Sequence, residues 1–179
     1  YIPDHANPWA NPAITGTDEV WNAAPQTFYY SNSEAYALTM GLQNSSDPYL
    51  NYWSGGRQGK NLFIAIRDCN IFLENIDKVH DMSLSERRRW KAEVQVLKAF
   101  FHYWLLQLYG PIPFIEKNLP ISASSEEVKS VIREPVDDVV IKIVGLLDAA
   151  IEEEDARPLS IRSVNLEMGR LTLPAALAI

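Results

Sequence analysis

The chain has 179 residues, of which 47% are hydrophobic and 22% are charged, with a formal net charge of −7. This length suffices for one domain with a buried core, and the balanced composition excludes a disordered or collagen-like chain. The acidic balance argues against a nucleic-acid partner, because phosphates are bound by a basic surface. No stretch approaches the roughly 18 uncharged apolar residues that a membrane-spanning helix needs. The single cysteine, Cys69, excludes an intrachain disulfide and a paired-cysteine zinc or redox site.

Residues 1–60 are rich in aromatic side chains and in residues that interrupt regular structure. Ten of the 19 aromatic residues and five of the 11 prolines lie there, which predicts long loops rather than helices. One short helix is predicted over residues 33–42, where Ser33 is a suitable N-cap. Turns are predicted at residues 44–48 and 54–56. A loop region of this length is often functional.

From residue 61 the apolar spacing becomes helical. Ser83 and Glu86 have the spacing of a capping box, which predicts the start of a long helix that ends near residue 109, before Gly110. The preceding helix has an apolar stripe, and the long helix has an apolar face. The stripe is Leu62, Ile66, Cys69, Leu73 and Ile76, and the face is Trp90, Val94, Leu97, Phe101, Leu105 and Leu108.

The last third of the chain also has a helical pattern. Ser124 and Glu127 predict a capped short turn, and Pro135 suits the first position of a third long helix. Thr172 is the predicted cap of a fourth helix. Because no stretch alternates like a strand for long, the predicted fold class is all-α. The buried stripe of the third long helix is predicted to be Val136, Val140, Ile143, Leu147 and Ile151.

These patterns divide the chain into two regions. Residues 1–60 are predicted to be a loop-rich aromatic region, and residues 61–179 a scaffold of helical hairpins that forms one domain. The chain opens at Tyr1 without a methionine and closes inside a stretch that has the pattern of a helix start. We therefore expect a piece of a longer protein, truncated at the C-terminus.

Four motifs in the helical region carry a family resemblance. They are IRDCNIFLE at residues 66–74, AEVQVLKAFFHY at 92–103, LYGPIP at 108–113, and the helical stretch 133–151 followed by GRLTLPAALA at 169–178. In this order they resemble the SusD/RagB family of outer-membrane nutrient-binding lipoproteins of Gram-negative bacteria, over about residues 53–179. Lys98 stands where the family usually has Arg, and Val96 where it usually has Phe. Residues 1–52 match no pattern of that family.

The resemblance implies a fold and a function. The expected fold consists of tetratricopeptide-like helical hairpins, which pack against a TonB-dependent transporter barrel. The expected function is to capture oligosaccharide at the cell surface and deliver it to that transporter. The family also implies attachment to the outer membrane through a lipid anchor outside this chain. Two alternatives remain open: a protein-interaction scaffold without a sugar ligand, and a peptide-binding member of the same family.

The sequence contains no recognisable catalytic or metal-binding constellation. His5, His80 and His102 lack metal-ligand spacing, and there is no nucleophile elbow or phosphate-binding loop. We therefore predict a binding protein rather than an enzyme, with no cofactor and no metal. Glu93 and Lys98 are predicted to be structural ions that tie helices together. The basic cluster at residues 87–91 is predicted to be the solvated start of the long helix.

The predicted ligand-binding residues are Trp9, Trp21 and Tyr30, with Asn7 and Asn11 beside the first of them. Aromatic faces stack on the apolar faces of sugar rings, and amide side chains hydrogen-bond to hydroxyls. Prolines on both sides of Trp9 stiffen its backbone, which lowers the ordering cost of binding. The alternative is that aromatic residues pin the loop against the helices. That structural role is predicted for Trp53, while Trp90 is predicted to lie in the core.

Overall fold

The structure is a computed structural model that describes residues 17–18, 34–57 and 59–153. These ranges contain five α-helices and one 3-10 turn, Ile76–Lys78. Within them there is no strand, and the β-pairing is one isolated bridge between Gly56 and Gly59. The prediction of a mainly helical chain is therefore confirmed for the described residues. The helices are α1 (Glu34–Thr39), α2 (Leu62–Asn75), α3 (Leu84–Tyr109), α4 (Ser125–Ser130) and α5 (Val136–Glu153).

None of these helices combines the length and the apolar character needed to cross a membrane. The chain divides into two compact units, with the boundary between Phe63 and Ile64. The predicted assignment of residues 61–179 to a single scaffold domain stays a prediction.

The first unit is built from α1 and a tightly folded loop. The N–H of Leu62 donates to the carbonyl of Tyr52 over 3.0 Å, which joins the loop to the first turn of α2. Gly59 lies so close to the backbone of Asn51 that a Cβ atom at this position would overlap it. Only glycine fits there. The buried apolar side chains of this unit are Ala35, Ala37, Leu50, Tyr52 and Leu62.

The predicted capping signals determine where the helices begin. Oγ of Ser83 accepts from the N–H of Glu86, whose carboxylate accepts from the N–H of Ser83, so the predicted capping box is confirmed. Ser124 and Glu127 form a second box of the same kind at α4. Gly110 ends α3 with a φ of 67°, a value that favours glycine.

In the second unit, α3 packs against α5. Ala92 and Val96 of α3 form a core cluster with Ala150 of α5, and Leu147 packs against it. Small residues on both helices allow close approach of the two backbones. The long helix is buried on much of its circumference, through Ala92, Val94, Val96, Lys98, Ala99, Phe101, His102, Trp104 and Leu105.

Two details of the predicted apolar faces are wrong. On α5 the buried face contains Val139, which is fully buried, whereas Val136 and Val140 are 41% and 43% exposed. The helix is apolar over a wide arc, and α3 covers only one side of it. On α3, Trp90 and Leu108 are each 39% exposed instead of lying in the core, and the ring centroid of Trp90 is 6.5 Å from that of Phe72.

Adjacent valines on α5 provide a matched test of this packing. Replacing Val139 by Ala removes buried methyl groups, and we expect the free energy of unfolding to fall by about 1–3 kcal/mol. The same change at Val140 is expected to stay within about 0.5 kcal/mol of the parent chain. Both substitutions change the helix propensity equally. The difference between their free energies of unfolding, measured by chemical denaturation, therefore reports burial alone. A larger loss at Val140 would contradict the described face.

Candidate functional site

The five predicted ligand-binding residues lie outside the described residues. This applies to Trp9, Trp21 and Tyr30, and to Asn7 and Asn11. Their role stays a prediction, and the structure is informative about the described part of the aromatic region, residues 34–57 and 59–60.

Three aromatic side chains of that region are described, and they have different surroundings. Tyr52 is buried, with 4% of its surface exposed. Trp53 packs edge-on against Phe63, with ring centroids 5.0 Å apart and an interplanar angle of 79°. This contact confirms the structural role predicted for Trp53. Tyr49 is half-buried and lies beside a charged cluster at the surface.

The charged cluster is centred on Arg57. Its guanidinium lies 4.7 Å from the ring centroid of Tyr49, and its Nε donates to Oδ2 of Asp47 over 2.7 Å. Glu34 of α1 is a third, more distant partner, at 3.9 Å. The hydrogen bond from Arg57 lowers the pKa of Asp47, and the same bond raises the pKa of Arg57. Both groups are therefore charged at neutral pH.

Side chains within the loop hold its backbone in place. Oε1 of Gln43 accepts from the N–H of Tyr49 over 2.8 Å, and Oδ1 of Asn44 accepts from the N–H of Asp47 over 2.7 Å. The Asn51 side chain pairs with Ser54 in both directions. These bonds hold the loop that carries Tyr49 in a defined conformation.

A second polar cluster lies buried in the second unit. His102 is fully buried. Its Nε2 accepts from the N–H of Ile115 over 3.1 Å, and its Nδ1 contacts the carbonyl of Lys98 at 2.8 Å. An Nε2 that accepts must be unprotonated, so the ring is the neutral tautomer with its hydrogen on Nδ1. Burial lowers the pKa of His102 to about 4, which agrees with that tautomer.

Two further polar residues bind the same segment. Lys98, only 4% exposed, donates from Nζ to the carbonyl of Glu116 over 2.7 Å. Asn70 of α2 donates to Oδ1 of Asn118 over 3.2 Å, and Asn118 donates to the carbonyl of Arg67 over 3.0 Å. Burial lowers the pKa of Lys98. Lys98 is structural, as predicted, but it binds a backbone carbonyl of the irregular segment after α3 rather than another helix.

The cluster continues to the surface through Phe114. The Phe114 ring stacks on the His102 ring at a centroid distance of 4.2 Å. Nζ of Lys142 from α5 lies 5.4 Å from the centroid of the Phe114 ring. Lys142 also pairs with Glu134 at 2.8 Å and with Glu116 at 3.3 Å. These contacts connect α3, the segment after it and α5. They describe a scaffold rather than a reaction centre.

Other chemistry-bearing side chains in the second unit are also engaged by the scaffold. Arg87 donates to the carbonyl of Val79, and Lys91 pairs with Asp77 at 2.8 Å, so the basic cluster that was predicted to be solvated is in part bound by the protein. Burial raises the pKa of the Cys69 thiol to about 11, which removes its nucleophilic character at neutral pH.

The sequence did not predict that the residues of the Arg57 cluster, or those of the His102 cluster, contact one another. Arg57 and Asp47 are ten residues apart in a loop, and nothing in their spacing indicates a contact. His102 lies inside an amphipathic helix, where a histidine usually reaches solvent or packs at an edge. One signal in the sequence did point to the second cluster: Lys98 lies four residues before His102, and residues with this spacing share one face of a helix.

Comparison with known proteins identifies the family. The family model described as "Starch-binding associating with outer membrane" matches residues 2–167. This is most of the chain, and the chain therefore belongs to this SusD-like family. The family is one of binding proteins, as predicted, and it is associated with the outer membrane. No curated protein matches the chain.

Solved structures agree with this assignment. The structure of BT4246 is 26% identical, has a TM-score of 0.67 and covers 84% of this chain and 23% of its own. A SusD-like protein (BF3747) from Bacteroides fragilis is 27% identical, with a TM-score of 0.55, and covers 65% of this chain and 21% of its own. Surface glycan-binding protein A from Bacteroides uniformis (23% identity, TM-score 0.53, 64% of this chain and 24% of its own) shows the fold alone. The chain spans less than a quarter of the length of these structures.

His102 provides a pH-dependent test of the scaffold. Its pKa is about 4 in the folded protein and about 6.5 when unfolded, so the unfolded state binds more protons between these values. We expect full stability above pH 6.5 and a loss of about 3 kcal/mol as the pH falls to 4. Chemical denaturation at pH 7.5, 5.5 and 4.0 measures this loss.

The control uses variants that remove one titrating group each. His102→Gln keeps one donor and one acceptor but does not titrate, so the loss of stability between pH 6.5 and 4 should shrink. His80→Gln changes an exposed histidine and should leave the loss as in the parent chain. An unchanged pH dependence in His102→Gln would show that this histidine is not the group responsible.

Proposed function

We propose that this protein captures oligosaccharide at the cell surface and delivers it to a TonB-dependent outer-membrane transporter. The observation that carries the proposal is the match of residues 2–167 to a family described as starch-binding and associated with the outer membrane. Surface exposure and a lipid anchor outside this chain are part of the same proposal. Two structural relatives are named surface glycan-binding protein A, from Bacteroides uniformis and from Bacteroides fluxus, which agrees with the proposal.

We place the main sugar platform on Trp9 and Trp21, with Tyr30 and the amides of Asn7 and Asn11. Indole and phenol rings supply flat apolar faces, and the amides supply donors and acceptors for hydroxyls. The region assigned to ligand capture is residues 1–60, and residues 61–179 serve as its scaffold. In the second unit, the buried side chains of Lys98 and His102 bind backbone atoms of Glu116 and Ile115, which agrees with a scaffold role.

The platform is tested by truncating its indoles. Isothermal titration with a panel of neutral oligosaccharides, maltoheptaose among them, identifies the tightest ligand of the parent chain. With that ligand, Trp9→Ala and Trp21→Ala should each lose about 1 kcal/mol or more of binding free energy, as expected for an aromatic anchor. Trp90→Ala removes a half-exposed indole from α3 and should bind as the parent chain does.

Circular dichroism establishes that each variant is folded. If both Trp9→Ala and Trp21→Ala lose less than about 0.5 kcal/mol of binding free energy, these residues do not form the sugar platform. Binding of peptides without binding of any glycan would favour the peptide-binding alternative. Binding of neither ligand class, with a copurified barrel, would favour the interaction scaffold.

We further propose that the helices form tetratricopeptide-like hairpins and that a face left open by their packing contacts the transporter. On α5 the exposed valines Val136, Val140 and Val144 recur every four residues and lie next to the face that packs on α3. Their exposures are between 41% and 48%. An apolar strip of this kind is suited to a protein partner.

Charge introduced on this strip tests the proposed contact. When the protein is coexpressed with its transporter, the double variant Val140→Glu, Val144→Glu should copurify at least tenfold less barrel, because buried carboxylates lose their hydration. Arg88→Glu, at an exposed position of α3, is the matched control and should retain the complex. Full retention by the double variant, or loss caused by Arg88→Glu, would contradict the proposed strip.

A further inference from the structure

Two residues of the first unit have a backbone conformation that is unusual for side chains larger than glycine. Leu50 has a φ of 48° and Arg57 a φ of 47°. They face each other across the loop, where the N–H of Leu50 donates to the carbonyl of Arg57 over 2.9 Å. The left-handed region is unfavourable for a leucine or an arginine, and such strain persists only where the surrounding structure imposes it.

The ion pair that the strained backbone positions does not by itself account for the strain. The left-handed backbone at Arg57 directs the guanidinium toward Asp47 and Tyr49, yet the Arg57 and Asp47 side chains stay 42% and 59% exposed. Exposed ion pairs add little to folding, because water screens them and two long side chains must be ordered. A strained backbone that holds an exposed polar pair is more typical of a binding surface than of a structural clamp.

The orientation of the pair leaves its outer atoms available. The contacts of the Asp47 carboxylate with the described residues all involve Oδ2, which leaves Oδ1 as an acceptor. On the guanidinium, Nη1 has only the long contact to Glu34, at 3.9 Å. One acceptor and one donor, side by side on a rigid loop, match two neighbouring sugar hydroxyls, one of which donates while the other accepts.

The charges of the cluster select the kind of sugar. Among these three described residues, Arg57 is a cation, and Asp47 and Glu34 are both anions within 4 Å of it. Together these three side chains carry a net negative charge, which disfavours a uronic acid or a sulfated sugar. The ring of Tyr49 beside the pair adds an apolar edge. A neutral oligosaccharide fits these features.

We propose that Arg57 and Asp47, held beside Tyr49, form a separate subsite that binds two neighbouring hydroxyls of a neutral oligosaccharide. This inference rests on the proposed function and adds a site to it. The subsite uses described residues of the loop after α1, and none of the residues of the predicted tryptophan platform.

Substitution by glycine separates a binding role from a structural one. Arg57→Gly removes the guanidinium and also relieves the strain, because glycine accepts a φ of 47° without cost. We expect the thermal midpoint to stay within about 2 °C of the parent value or to rise. The Kd for the tightest neutral oligosaccharide of the panel should rise about five- to tenfold.

Two further variants complete the experiment. Arg57→Lys keeps the charge but loses the planar fork, and it should weaken binding nearly as much. Arg88→Lys makes the same change on the exposed surface of α3 and should leave the Kd unchanged. Polygalacturonate oligosaccharides, as the anionic probe, should bind the parent chain at least tenfold more weakly than the neutral ligand.

The outcomes distinguish this inference from the proposed function. If the parent chain binds a neutral glycan and Arg57→Gly binds it equally well, the subsite is wrong and the proposed function stands. A lower midpoint for Arg57→Gly with an unchanged Kd would identify a structural clamp and overturn the subsite. If the parent chain binds no glycan of the panel, the function and the subsite both fail.

Discussion

The imidazole of His102 holds the chain that leaves α3, and the position of the following elements depends on this contact. Prolines at positions 111 and 113 remove backbone donors from that segment. Other backbone groups of the segment bind side chains of α3. The N–H of Ile115 donates to His102, and the carbonyl of Glu116 accepts from Lys98. A buried backbone group left unpaired costs about 1–3 kcal/mol, so these side chains replace the regular hydrogen bonds that an irregular segment lacks.

The same segment determines where α5 begins. The carbonyl of Ile112 accepts from the N–H of Glu134 over 3.0 Å, directly before the helix. Lys142 of α5 then pairs with Glu134 and Glu116 and lies over the Phe114 ring, which stacks on His102. A chain of contacts thus leads from the buried ring to the packing of α5 on α3. The first unit differs, since its polar cluster is exposed and is held by a strained backbone.

The parts of this structure that depend on neighbours in sequence were predictable, and those that depend on tertiary partners were not. Ser83 and Glu86 marked the start of α3 because a capping box is local. The buried side of α5 was misplaced because its apolar residues cover two adjoining faces, and α3 covers Val139 rather than Val140. The Arg57 cluster had no sequence signal, because a left-handed backbone at a non-glycine residue closes it. The tryptophan platform, outside the described residues, stays a prediction.

Hydrogen exchange of the Ile115 amide tests most directly whether the buried ring holds the segment. This N–H lies in an irregular stretch, and its acceptor is Nε2 of His102. At pH 7, where the ring is neutral, we predict that it exchanges only through opening of the whole second unit, as slowly as the core amides of α3. In His102→Ala it should exchange much faster than the α3 amides. Fast exchange of this amide in the parent chain, while α3 stays protected, would contradict the account.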